Sequence, residues 1–199
     1  MDQILSNPRT SLGVGLGIAA LLLVLFAVSA GDALVFFSFL FRALHILSAA
    51  VWLGLIVFVN FVQLVALRAT EESARDVLHR AIVPGVVWWL RHASTATVLT
   101  GAALLLSVGY VLPTLIYGSG VYVPPVRAGL LWTAVLGALV MWMFVHMYIW
   151  PSMQVVLGLR PGDADARARA GKRVMRFSRL NLVLAVPVML AMVAAAHLY

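Results

Sequence analysis

Long apolar runs dominate this chain, and short polar stretches divide them into five. Crossing the hydrocarbon of a bilayer takes about 20 mostly apolar residues. The runs meet that length at about residues 12–30, 34–67, 84–111, 126–156 and 180–198. The expected fold is therefore all-α: one integral membrane helical domain over residues 1–199, a bundle of about five transmembrane helices. The second run is too long for one perpendicular crossing and is predicted to tilt or protrude. Gly31-Asp32 ends the first run, Pro84-Gly85 breaks the chain ahead of the third, and Pro151 is predicted to kink the fourth. Residues 113–125 (PTLIYGSGVYVPP) carry no charge and read as an ordered interfacial loop. Gly13 and Gly17 have a small-xxx-small spacing, read here as plain helix packing.

Composition supports lipid as the solvent. Hydrophobic residues make up 63% of the 199 and charged residues 11%, against about a quarter charged in a soluble domain. Too little polar sequence remains for a separate soluble domain. The first run follows Arg9 and superficially resembles a signal peptide, but no clear cleavage motif precedes Asp32. It is read as a helix, with a signal anchor as the alternative.

The net charge of +7 does not form a nucleic-acid-binding face. Arg9, then Arg68, Arg75 and Arg80, then seven cations from Arg160 to Arg179 account for most of it. These fall at the N-terminus and in the connections after the second and fourth runs, so the N-terminus is expected in the cytoplasm and the C-terminus in the periplasm. Cysteine is absent, which excludes disulfides, thiolate metal sites and covalent CxxCH haem attachment. All seven acidic residues lie at termini or in connections. Paired-carboxylate chemistry inside the membrane is thereby excluded, no Ser-His-Asp set is in register, and any redox chemistry must come from a cofactor.

Polar residues at membrane depth are expensive and mark function. His45 and His197 fall near the outer ends of the second and fifth spans, a depth match suited to the two axial ligands of a haem b. Ser48 and Ala49 beside His45, and Ala194 beside His197, leave room for a porphyrin. Arg42, one turn from His45, could pair a haem propionate, and Trp52, two turns along, could wall the macrocycle. The alternative is two histidines hydrogen-bonded at a wet interface. His146 lies near the middle of the fourth span between Trp142 and Trp150. Met143, His146 and Met147 share a face that could hold Cu(I), although methionine in a bundle also serves as packing filler. His92, with Arg91, lies near the inner end of the third span, where a quinone headgroup could sit. His79 belongs to the inner connection or a short amphipathic helix within it.

The segment Arg42-Ala-Leu-His-Ile-Leu-Ser-Ala-Ala-Val-Trp-Leu-Gly54 resembles a signature of the membrane domain of the bacterial membrane-bound urate oxidases. Trp88 to Gly101 (WWLRHASTATVLTG), Trp150-Pro151-Ser-Met-Gln154, and Arg179-Leu-Asn181 with Pro187 and His197 are similar to further stretches of that family in the same order. Copper-resistance D proteins and a protoporphyrinogen oxidase of the haem pathway share a similar His-Trp-Gly helix. The resemblance implies a haem-bearing domain in the bacterial cytoplasmic membrane, with His45 and His197 as iron ligands and His79 matching a further family histidine. The urate oxidases usually end in a cytochrome c module. This chain has no CxxCH and lacks part of the middle of that domain, so urate oxidation does not carry over. The expected function is a b-type haem protein passing electrons between the membrane and a periplasmic redox partner such as a cytochrome c, as the membrane redox part of an oxidase. The alternatives are a copper-handling protein, or a cofactor-free accessory subunit of a larger membrane redox complex or oligomer.

Overall fold

The computed structural model describes residues 6–115 and 122–198. Helix α1 (Pro8–Ala30) opens with Pro8 in its first turn, where the missing N–H costs nothing, behind an Asn7 cap that accepts from the Arg9 amide. It stops at Gly31, whose φ of 66° is left-handed and easily adopted only without a Cβ. Asp32 immediately caps α2 (Ala33–Ala69), accepting from the amides of Leu34 at 2.7 Å and Val35 at 3.2 Å. One glycine and one aspartate thus turn the chain between two long apolar helices.

Helix α3 (Glu72–Ala81) is short and amphipathic. It leads into α4 (Val83–Ser107), which again has its proline in the first turn. After Gly109, another left-handed glycine, comes the short α5 (Val111–Leu115). Helices α6 (Pro125–Val156) and α7 (Ala164–His197) complete the chain. The interfacial loop expected at 113–125 is helical at its start, and its middle, 116–121, lies outside the described residues.

Among the described residues, four helices are long and apolar enough to cross a membrane: α1, α2, α6 and α7. The fifth expected span corresponds to α4, whose Arg91, His92, Ser94, Thr95, Thr97 and Thr100 dilute its apolar character. The fold accounts for this composition. Helices α2, α4, α6 and α7 pack in a ring in that order, with α7 closing back on α2. Ser94 and Thr97 are buried in the ring. Their hydroxyls donate to carbonyls of their own helix, Arg91 O and Ala93 O, so neither hydroxyl is left unpaired. The core gathers Trp52 and Ile56 of α2, Val83, Val87 and Leu90 of α4, Met141, Val145, Ile149 and Met153 of α6, and Ala185 of α7. Helix α1 stands outside the ring, touching α2 through an edge-on Phe26–Phe39 pair and burying none of its residues.

One expectation needs correction. The basic stretch read as a loop, with the last span beginning near residue 180, is helical from Ala164, capped by Asp163 through a 2.6 Å bond from the Ala166 amide. Arginine, alanine and lysine are good helix formers, and Arg167, Arg169, Lys172, Arg173, Arg176 and Arg179 are all exposed, so the helix continues without burying charge. At 1.5 Å per residue, α2, α6 and α7 are each roughly 48–55 Å long, well beyond a hydrocarbon thickness of about 30 Å. At Pro151, where a kink is expected, the helix also widens. A π turn over Phe144–Ile149 precedes the proline, which then sits in the first turn of the following helical segment. The π turn accommodates the proline ring and its missing donor. A second π turn, Val59–Gln63, interrupts α2. It faces the same end of the bundle, the end that carries most of the arginines.

Candidate functional site

Helix α4 collects polar contacts from both neighbours, and the two histidines involved end in opposite chemical states. His45 reaches across from α2. Its Nδ1 lies 2.9 Å from the carbonyl oxygen of Thr97, an acceptor only, so Nδ1 carries the proton and donates. In the neutral ring the lone pair then sits on Nε2, which has no bond to any described residue. The ring also lies against Gly101. A Cβ at that position would come 2.8 Å from His45 Cε1 and 3.0 Å from Nδ1, so the glycine is what leaves room for the imidazole against α4. A half-buried histidine, oriented by a backbone carbonyl on one nitrogen and open on the other, is the arrangement that metal-ligating histidines adopt.

His146 approaches α4 from α6 and is fully used. Trp142 Nε1 donates to Thr95 Oγ1 at 3.2 Å, leaving that hydroxyl's proton to donate to His146 Nε2 at 3.1 Å. His146 Nδ1 then donates to the Trp142 carbonyl at 3.1 Å, and the imidazole stacks on the same indole at 4.5 Å. The loop closes with both ring nitrogens occupied. Met147 is 63% exposed, turned away from that loop, and Met143 is half-buried.

The other candidates are dispersed. His92 is exposed on α4, stacked on Trp88 at 4.0 Å with its Nδ1 bonded to that residue's carbonyl. Arg91 lays its guanidinium over the Trp150 ring at 4.1 Å, a cation–π contact, and its Nε is buried without a partner. His79 lies on α3, its Nδ1 also buried and unpartnered. Arg42 is exposed, one turn from His45. Trp52 is 2% exposed in the hydrophobic core, its Nε1 buried without a partner. Among the described residues, no three His, Cys, Asp or Glu side chains converge as a metal site.

His197 is exposed at the end of α7 and is not bonded to His45. The bond from Asn60 Nδ2 to Ser178 O at 3.2 Å gives a common level on α2 and α7. Counted from there at 1.5 Å per residue, His45 is roughly 22 Å along one helix and His197 roughly 28 Å along the other. The two are about one helical turn apart in depth. Arg127, which sequence reasoning did not single out, anchors this end of α7. Its Nε donates to Ala195 O at 2.8 Å while its guanidinium sits 5.2 Å from the Tyr110 ring centroid. Only its position as the lone cation of the fourth run marked it in the sequence.

A further polar group lies at the basic end. Asn60 and Asn181, each 1% exposed, face one another with Ser178 between α2 and α7. Asn60 Oδ1 and both amide atoms of Asn181 are buried without partners, and each such atom costs about 1–3 kcal/mol if left so. Compared with protein-family models, curated proteins and solved structures, the chain finds no significant match.

Proposed function

We propose that this chain is a five-span membrane protein that holds haem b through His45 and passes electrons between the membrane and a periplasmic redox partner. The observation that carries the reading is the state of His45: a proton fixed on Nδ1 by Thr97 O, and a free Nε2 on a ring seated against Gly101. The resemblance of residues 42–54 to haem-bearing membrane domains points the same way. Haem iron, cycling between ferric and ferrous, would supply the one-electron chemistry that no side chain of this chain can. His45 would ligate through Nε2, the Thr97 carbonyl would hold the tautomer and raise the basicity of the ring, and Gly101 would set its plane. His197 is the candidate second ligand and Arg42 the candidate propionate partner. On this reading α4 is the fifth span, its polar residues shielded by α2 and α6. The basic end faces the cytoplasm, where the exposed arginines of α7 stay hydrated.

Oxidised and reduced absorption spectra of the purified chain test the proposal. A Soret band is expected in the wild type and in His146→Ala, and is expected to be lost in His45→Ala. No Soret band, or an unchanged one in His45→Ala, would overturn it. Metal analysis then separates the other readings, copper indicating a copper-handling protein and no metal an accessory subunit.

A further inference from the structure

The orphaned amides at the basic end have one common neighbour, a cavity between α2, α4, α6 and α7. Asn60, Ser178 and Asn181 line it together with Ile56, Val59, Leu90 and Ile149. The space open to the centre of a water-sized sphere is about 10 Å³, about what one water molecule requires. Asn60 cannot turn its amide around to suit another neighbour. Its Nδ2 is held by two carbonyls, Ile56 O at 2.9 Å and Ser178 O at 3.2 Å, so the atom left unpartnered is necessarily the oxygen, an acceptor. Asn181 has neither amide atom bonded and can present a donor or an acceptor.

From this set we propose that the cavity is a binding site for one ordered water, which donates to Asn60 Oδ1 and bridges to the Asn181 amide. The lining decides the chemical class. Among the described residues no Asp, Glu, Lys or Arg lines the cavity, so a cation or an anion would be buried without a counter-charge, and an apolar atom would leave both amides orphaned. Water can supply the donor that Asn60 requires and complete its bonding with whichever atom Asn181 turns toward it.

The site lies beside both π turns. Asn60 lies within the turn of α2 and Ile149 within that of α6. At the α2 turn the Val59 amide is shared between the carbonyls of Ile56 and Leu55, and the Asn60 side chain provides Ile56 O with a full donor. The water completes the hydrogen bonding of the residue that holds this widened turn. It thereby joins α2 to α7, independently of any cofactor at His45.

A high-resolution structure of the full chain in lipid nanodiscs or crystals, in sodium and in rubidium salt, tests the assignment. One density peak within hydrogen-bond reach of Asn60 Oδ1 and the Asn181 amide is expected, equal in both salts. An empty cavity, or a peak with rubidium anomalous signal, would overturn it. Thermal unfolding of Asn60→Leu, Asn181→Leu and the double variant gives a second reading. Each single change is expected to lower the melting temperature by several degrees, with the double falling short of their sum because one shared bridge is lost once. Strictly additive losses would refute the bridge even if a single variant failed to fold well enough for crystallography.

Discussion

Replacing Gly101 by alanine tests the arrangement on which the functional reading stands, without touching either bonded residue. The new Cβ would lie 2.8 Å from His45 Cε1 and 3.0 Å from Nδ1, closer than real methyl contacts allow. Either the imidazole moves or α2 and α4 separate, and both lengthen the 2.9 Å bond to Thr97 O. Overpacking of this kind costs about 1–3 kcal/mol, and a lost hydrogen bond about 0.5–1.5 kcal/mol. The better helix propensity of alanine returns up to about 1 kcal/mol. The net expectation is a destabilisation of about 1–3 kcal/mol. Gly54→Ala on α2 and Gly85→Ala on α4 are the controls, because nothing lies within 4 Å of a Cβ at either position. Thermal unfolding in detergent, followed by far-ultraviolet circular dichroism at one scan rate, should place Gly101→Ala several degrees below both controls. If Gly101→Ala melts with them, the ring does not rest on α4 and its Nε2 is not held open by this geometry.

Two further outcomes check other parts of the molecule. Thr95→Val removes the hydroxyl between Trp142 Nε1 and His146 Nε2 and should destabilise the fold by about 1–3 kcal/mol while leaving any cofactor at His45 in place; an unchanged melting temperature would show that the loop is dispensable. Because the chain has no cysteine, single cysteines at Leu112 and Ala168, both exposed, report orientation directly: an impermeant maleimide should label Leu112→Cys in intact cells and Ala168→Cys only after permeabilisation, and the reverse would invert the topology.

Much of the architecture was legible along the chain because the signals are local. Apolar runs long enough for a bilayer became helices, Gly31-Asp32 became a stop followed by a cap, and the short amphipathic helix carrying His79 formed as its pattern implied. Helix boundaries at the basic end were less legible. A cationic stretch reads as a loop when only hydropathy is followed, whereas the backbone responds to capping and propensity, and Asp163 starts α7 well before the apolar run begins.

What the sequence by itself determined is a helical membrane protein whose polar residues are few enough to be examined one by one. Which of those residues have unused chemistry was decided by the tertiary structure. His45 and His146 look alike in the chain, each a histidine within an apolar run near tryptophan. One meets a backbone carbonyl and a glycine across α4 and keeps a free nitrogen, while the other meets a threonine hydroxyl and uses both. Asn60 and Asn181 are separated by most of the chain, yet the packing of α2 against α7 puts their orphaned amides around one small cavity. The physical reason is common to both cases. Hydropathy along a chain sets which segments enter the bilayer, but the partners that satisfy a polar group there lie on other helices, and only packing selects them.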